Sequence, residues 1–148
     1  MTKWFVIMTK DFVIMEEVLL MMQEVRRPTD AELTILQVLW DRGPSTVREV
    51  YKILKNSRNV GYTTVLKLMQ IMTDKGLVER DENCRPQLYR PCFPREQTER
   101  QLIKDLVDRA FGGSARRLVM QALEVKKASP SELAQIEKLF NKLERGEK

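Results

Sequence analysis

The chain has 148 residues, 43% of them hydrophobic and 32% charged, with a formal charge of +5 from 26 Lys and Arg against 21 Asp and Glu. That length suits one ordinary globular domain or two very small ones, and the moderate basic excess suits a polyanionic partner. No histidine occurs and there are only two cysteines, Cys84 and Cys92. The chain therefore lacks the commonest general base and metal ligand, and no catalytic residue, metal site, disulfide framework or cofactor is expected.

Residues 1–25 read as a leader of doubtful status. Lys3, Lys10, Asp11, Glu16 and Glu17 break its apolar runs well short of the roughly 20 residues that a membrane span requires, so no membrane insertion is expected. The runs Trp4 to Met8 and Phe12 to Met15 are also too short for a signal peptide. Met1-Thr2-Lys3-Trp4-Phe5-Val6-Ile7 recurs as Met8-Thr9-Lys10-Asp11-Phe12-Val13-Ile14, which we read as a tandem duplication in a dispensable leader, with Met8, Met15, Met21 and Met22 as alternative starts. The competing reading is an amphipathic segment that touches a partner.

Residues 26–93 carry the local signatures of a winged helix. Thr29 followed by Glu32 forms a capping box, and the helix it opens carries Leu33, Leu36, Val38, Leu39 and Trp40 before Gly43-Pro44 stops it. Thr46 and Glu49 open a second helix, to about Asn56, with Val50, Ile53 and Leu54 on one side. After a loop at Asn59-Val60-Gly61, a third helix from Tyr62 to Lys75 buries Val65, Leu68, Met69 and Met72 and is capped by Gly76. Leu77–Arg80 and Gln87–Arg90 flank the turn-rich Asp81–Pro86 as a hairpin. A two-stranded hairpin is marginal alone and must pack on the helices, which makes the unit a winged helix-turn-helix.

Residues 94–148 predict three further helices. Arg95–Phe111 carries Leu102, Ile103, Leu106, Val107 and Ala110; Gly112-Gly113 interrupts; Leu118, Val119, Ala122 and Leu123 mark the next helix. The last begins at the box Ser129-Pro130-Ser131-Glu132 and carries Leu133, Ile136, Leu139, Phe140 and Leu143. Three helices of this size bury too little surface alone, so a homodimer sharing Leu102, Leu106, Leu118, Ile136, Leu139 and Phe140 is expected. The alternative is packing of these stripes on the same chain's winged helix. The expected fold class is thus mostly α, a winged helix-turn-helix with a two-stranded β wing plus a C-terminal three-helix dimerisation region.

In such a fold the N-terminal part of the second motif helix enters the major groove, where base edges display distinct donors and acceptors. Here that segment offers Tyr62, Thr63, Thr64 and Lys67, with Gln70 and Lys75 as further exposed positions. Arg85 at the wing tip, flanked by Arg80 and Arg90, could reach backbone or minor groove. The plainer alternative for each is a solvated helix face. Residues 26–100 hold 14 Lys and Arg against 10 Asp and Glu, or +4 of the chain's +5. The expected partner is double-stranded DNA carrying an operator, and the expected location the cytoplasm. A winged helix used as a protein-interaction module, without DNA binding, is the rival function.

From Pro28 onward the chain resembles the penicillinase-repressor family of winged-helix regulators, the BlaI/MecI/CopY type. The resemblance rests on Thr29-Asp30-Ala31-Glu32 through Val38-Leu39-Trp40, and on Thr64-Val65 through Asp74-Lys75-Gly76-Leu77-Val78. Leu88-Tyr89-Arg90-Pro91 and Phe111-Gly112-Gly113-Ser114 complete it. It implies a homodimeric repressor of palindromic operators, relieved when a membrane-bound metalloprotease sensor leads to cleavage in the first C-terminal helix. The matching region here is Asp105-Leu106, where antibiotic-responsive members have Asn-Phe. Copper-responsive members carry C-terminal Cys-x-Cys motifs, and no cysteine follows Cys92 here.

Overall fold

A computed structural model of the chain describes residues 14–15, 17–18 and 27–146. Most of the expected leader, with its duplication, lies outside the described residues. The chain divides between residues 98 and 99 into two compact units. The first is built on helices α1 (Asp30–Arg42), α2 (Val47–Ser57) and α3 (Tyr62–Asp74) and strands β1 (Val78–Asp81) and β2 (Leu88–Pro91). Helices α4 (Arg95–Ala110), α5 (Ala115–Val125) and α6 (Pro130–Glu144) follow, α4 spanning the division.

Each helix of the first unit starts and stops for a local reason. Thr29 Oγ1 accepts from the Glu32 amide at 3.3 Å while the Glu32 carboxylate accepts from the Thr29 amide at 3.0 Å, so two otherwise orphaned donors are satisfied. Thr46 and Glu49 repeat the arrangement at α2. Gly43, at φ +95°, lets the chain leave α1 in a conformation that side chains disfavour. At the end of α3 the Gly76 amide donates to the Thr73 carbonyl at 3.1 Å and the Leu77 amide to the Met72 carbonyl at 2.9 Å, with Gly76 at φ +78°. This is a Schellman stop. It consumes the Leu77 amide, which is why the ladder begins at Val78 rather than at Leu77 as the sequence pattern suggests.

The strands are antiparallel, with Glu79 opposite Arg90 and Arg80 opposite Tyr89. A link that the sequence does not reveal ties them to the helices. The Ser45 amide donates to the Tyr89 carbonyl at 3.1 Å and the Tyr89 amide to the Ser45 carbonyl at 2.8 Å. The turn between α1 and α2 therefore acts as a short third strand, and Tyr89 is buried in the core. That core centres on Ile35 and Leu39 of α1, Val50 of α2, and Val65, Met69 and Met72 of α3, the last three spaced i, i+4, i+7. Ile35 takes a central place that the expected stripe of α1 assigned to its neighbours, and Ile53 lies exposed beside the buried Val47, Val50 and Leu54.

One ion pair lies largely inside this unit. The carboxylate of Glu32, a residue only 3% exposed, receives the Lys75 ammonium at 2.7 Å, and Lys75 Nζ also donates to the Arg27 carbonyl at 3.1 Å. Lys75 is thus half-buried and engaged rather than exposed as expected. At the other end of α1, Trp40 Nε1 donates to the Phe93 carbonyl at 3.1 Å, Arg95 pairs with Asp41, and the Arg95 guanidinium lies 5.6 Å from the Trp40 ring centroid.

In the second unit Ser114 caps α5 and a Ser129–Glu132 box opens α6. No residue of α4, α5 or α6 is buried. Leu102, Val107, Leu118, Leu123 and Ile136 are half-buried, whereas Leu106, Leu139 and Phe140 are exposed.

Candidate nucleic-acid interface

Helix α3 divides sharply into two faces. Val65, Met69 and Met72 are sealed in the core, and Tyr62, Thr63, Thr64, Lys67 and Gln70 face solvent. Its N-terminus also differs from those of α1, α2 and α6, which carry complete capping boxes. Gly61 provides no side-chain cap, so the amides of the first turn of α3 stay available, at the positive end of the helix dipole, to an anion from outside. No carboxylate pairs with Lys67 among the described residues. The sequence-predicted Tyr62, Thr63, Thr64 and Lys67 are therefore gathered on one exposed, cationic end of a helix.

Sequence reading missed a neighbour of this patch. Arg48, in the first turn of α2, places its guanidinium 5.6 Å from the Tyr62 ring centroid. Tyr62 also meets Tyr51 edge-on, with centroids 5.7 Å apart and planes at 89°. Thr46, Arg48, Tyr62, Leu66, Gln87 and Tyr89 are among the residues lining an open groove of about 280 Å³ between the motif helices and the wing. Only the packing of α2 on α3 marks Arg48 out.

On the wing, the three arginines differ. Arg90 Nε donates to Glu79 at 2.5 Å across the strands, and Arg80 pairs with Glu82 at 3.2 Å. Hydrogen bonding with Tyr89, and then with Glu82, holds the Arg80 guanidinium above its ordinary pKa. Arg85 at the exposed tip has no ion-pair partner among the described residues. The tip is shaped by Asp81, which accepts from the Asn83 amide at 3.0 Å and from the Cys84 thiol at 3.5 Å. That hydrogen bond, with Asp81's charge and some desolvation, pushes the Cys84 thiol up, and burial with Glu79 nearby pushes Cys92 up. Both cysteines are free and stay protonated at neutral pH, which makes them poor nucleophiles.

Asp105 is half-buried and Leu106 exposed, both within α4. Among the described residues no group of three or more His, Cys, Asp or Glu side chains could hold a metal ion. No described helix is long and apolar enough to cross a membrane.

Three helices, a two-stranded wing tied back to the α1–α2 turn, and a solvent-facing cationic end of the third helix define a winged helix-turn-helix protein. More narrowly, the chain belongs to the penicillinase-repressor family, whose model, "Penicillinase repressor", matches residues 28–142. It is 30% identical over 92 residues to "Transcriptional regulator BlaI" of Mycobacterium tuberculosis, strain CDC 1551 / Oshkosh, covering 62% of this chain and 67% of that protein. The same protein from strain H37Rv matches equally. The family is one of transcriptional repressors and not a class of enzymes.

Proposed function

We propose that the protein represses transcription in the cytoplasm as a homodimer bound to a palindromic double-stranded operator, with α3 in the major groove and the wing on the adjacent backbone. The observation that supports this most directly is the uncapped, exposed end of α3, with Thr63, Thr64 and Lys67 on it and no carboxylate paired with Lys67 among the described residues. Threonine hydroxyls suit phosphate oxygens or base edges, and Lys67 suits guanine or phosphate. Tyr62 suits a phosphate or a thymine methyl, and Arg85 a phosphate clamp or minor-groove contact. A dimer through Leu102, Leu106, Leu118, Ile136, Leu139 and Phe140 would space two α3 helices to meet successive major grooves, about 34 Å apart on one face of the duplex. Occupation of a promoter then excludes polymerase. The resemblance to antibiotic-responsive regulators extends the proposal to derepression by cleavage of α4 near Asp105-Leu106, downstream of a membrane-bound metalloprotease sensor.

Genome-wide mapping of bound fragments, followed by titration of the best fragment at two salt concentrations, tests the proposal. A shared inverted repeat bound by a dimer, with affinity falling steeply as salt rises, is expected. Weak, sequence-independent binding would overturn it in favour of a protein-interaction module. Lys67→Ala and Arg85→Ala should each weaken operator binding, by roughly 1–3 kcal/mol if a base contact is lost, with unchanged thermal unfolding. Wild-type affinity in either variant removes that residue from the interface.

A further inference from the structure

We propose that Arg48, on the first helix of the helix-turn-helix pair, is a phosphate-contacting residue of the DNA interface, and that Tyr62 serves as the platform holding it rather than as a base reader. This rests on the assignment of α3 as the recognition helix. Two observations carry it. The first is the aromatic arrangement: the Arg48 guanidinium lies against the Tyr62 ring, which meets the ring of Tyr51 edge-on, and Lys55 Nζ lies 5.9 Å from the Tyr51 centroid. Tyr62 remains 39% exposed, yet it is already engaged from two directions by its own chain. A guanidinium held over a ring face still has N–H groups free to meet a phosphate, whose geometry its fork matches.

The second is charge. Arg48, Lys52 and Lys55 recur at i, i+4, i+7 and so form one basic ridge along α2, all three exposed. None of them has an ion-pair partner among the described residues. Glu49, the carboxylate next to Arg48 in sequence, is committed to Arg42 at 2.5 Å and to the Thr46 cap. Tyr62 opens α3, so the ridge's first member sits beside the end of α3 proposed to enter the groove. In helix-turn-helix complexes the first helix crosses the sugar-phosphate backbone while the second occupies the groove. Arg48 is the cation placed to meet that backbone, and the 280 Å³ groove it lines with Tyr62 is also lined by Pro86, Gln87 and Tyr89 from the wing.

The test uses the full chain, the best-bound genomic fragment and a scrambled duplex of equal length, titrated over a series of salt concentrations. Arg48→Ala and Arg48→Gln should weaken binding to both duplexes by a similar factor, roughly tenfold or more. Each should also flatten the log–log salt dependence by about 1. Tyr62→Phe, which keeps the ring and removes only the hydroxyl, should retain clearly more affinity than Tyr62→Leu. Tyr62→Leu should weaken both duplexes alike and add little in the Arg48→Ala background. Unchanged affinity and salt slope in both Arg48 variants would overturn the contact. A Tyr62→Leu loss confined to the genomic fragment, or fully additive with Arg48→Ala, would overturn the platform. Lys67→Ala measured alongside separates the two levels: if it weakens binding while the Arg48 variants do not, only this inference fails. If the wild type shows no sequence preference, the assignment of α3 fails and takes this inference with it.

Discussion

In the winged-helix unit Ile35, Leu39, Val50, Val65, Met69 and Met72 are almost wholly buried within one chain, whereas α5 and α6 bury no residue at all. Val125, Leu139, Phe140 and Leu143 each expose more than half of their surface. Both regions are equally well furnished with helix caps and with apolar residues at helical spacing, so local signals do not separate them. What separates them is whether a second apolar face stands opposite the first. Helices α1, α2 and α3 close on one another and on Tyr89 of the wing, and the result is a core. The C-terminal helices bury none of their own residues, and the dimer proposed above would give their exposed apolar stripes a partner.

The contrast is open to direct attack. Leu39→Ala should remove packed volume that nothing refills and cost about 2–5 kcal/mol in denaturant unfolding of the winged helix. A cost below 1 kcal/mol would deny this unit a tight core of its own. Phe140→Asp should have the opposite profile. Phe140 is 60% exposed in the single chain, so a charge there does little to the protomer. In a dimer it would bury an unpaired carboxylate, and roughly 2 kcal/mol or more of association should be lost. Sedimentation should show monomers, and the dependence of Tm on protein concentration should vanish. A Phe140→Asp protein that stays dimeric would move the interface elsewhere.

The smallest expected effect concerns a cap. Thr46→Ala should cost about 1 kcal/mol, and it should also change how stability responds to acid. The backbone hydrogen bond at Thr46 holds the Glu49 carboxyl below its ordinary pKa against some desolvation, with the Thr46 hydroxyl and Arg42 assisting. A carboxyl lowered in the folded state stabilises the fold above the ordinary carboxylate range, and that contribution disappears as pH falls through its lowered value. The wild type's advantage over Thr46→Ala should therefore narrow on acidification only by the share that the Thr46 hydroxyl contributes, since the backbone hydrogen bond is common to both proteins. Unfolding titrations of both proteins at neutral and acidic pH measure this, and a constant difference would show that the hydroxyl does not support Glu49 ionisation.

How much was legible in the sequence follows the range of the interaction. Thr29–Glu32, Thr46–Glu49 and Ser129–Glu132 are each three residues apart, and their geometry is dictated by the first helical turn, so all three boxes could be read directly. The same holds for the exposed polar end of α3, since a stripe of Val65, Met69 and Met72 on one side leaves Thr63, Thr64 and Lys67 on the other. Arg85 was legible as a wing-tip residue from the turn-rich segment around it. Glu32 shows the limit: its role in the cap is local, but its burial beneath Lys75, 43 positions away, is not. Lys75 looked like an exposed helix-end lysine because nothing within α3 accounts for its partner.

The amino-acid sequence by itself determined where helices start and stop, which faces are apolar, and where a hairpin interrupts them, because caps, glycine stops and periodicity act over a few residues. Only the tertiary structure decided that Ser45 pairs with Tyr89 to tie the wing to the helices, that Glu79 holds Arg90 across the strands, and that Arg48 rests beside Tyr62. Each of these joins groups on different elements, and their distances are set by how apolar faces close on one another rather than by anything that a single segment carries.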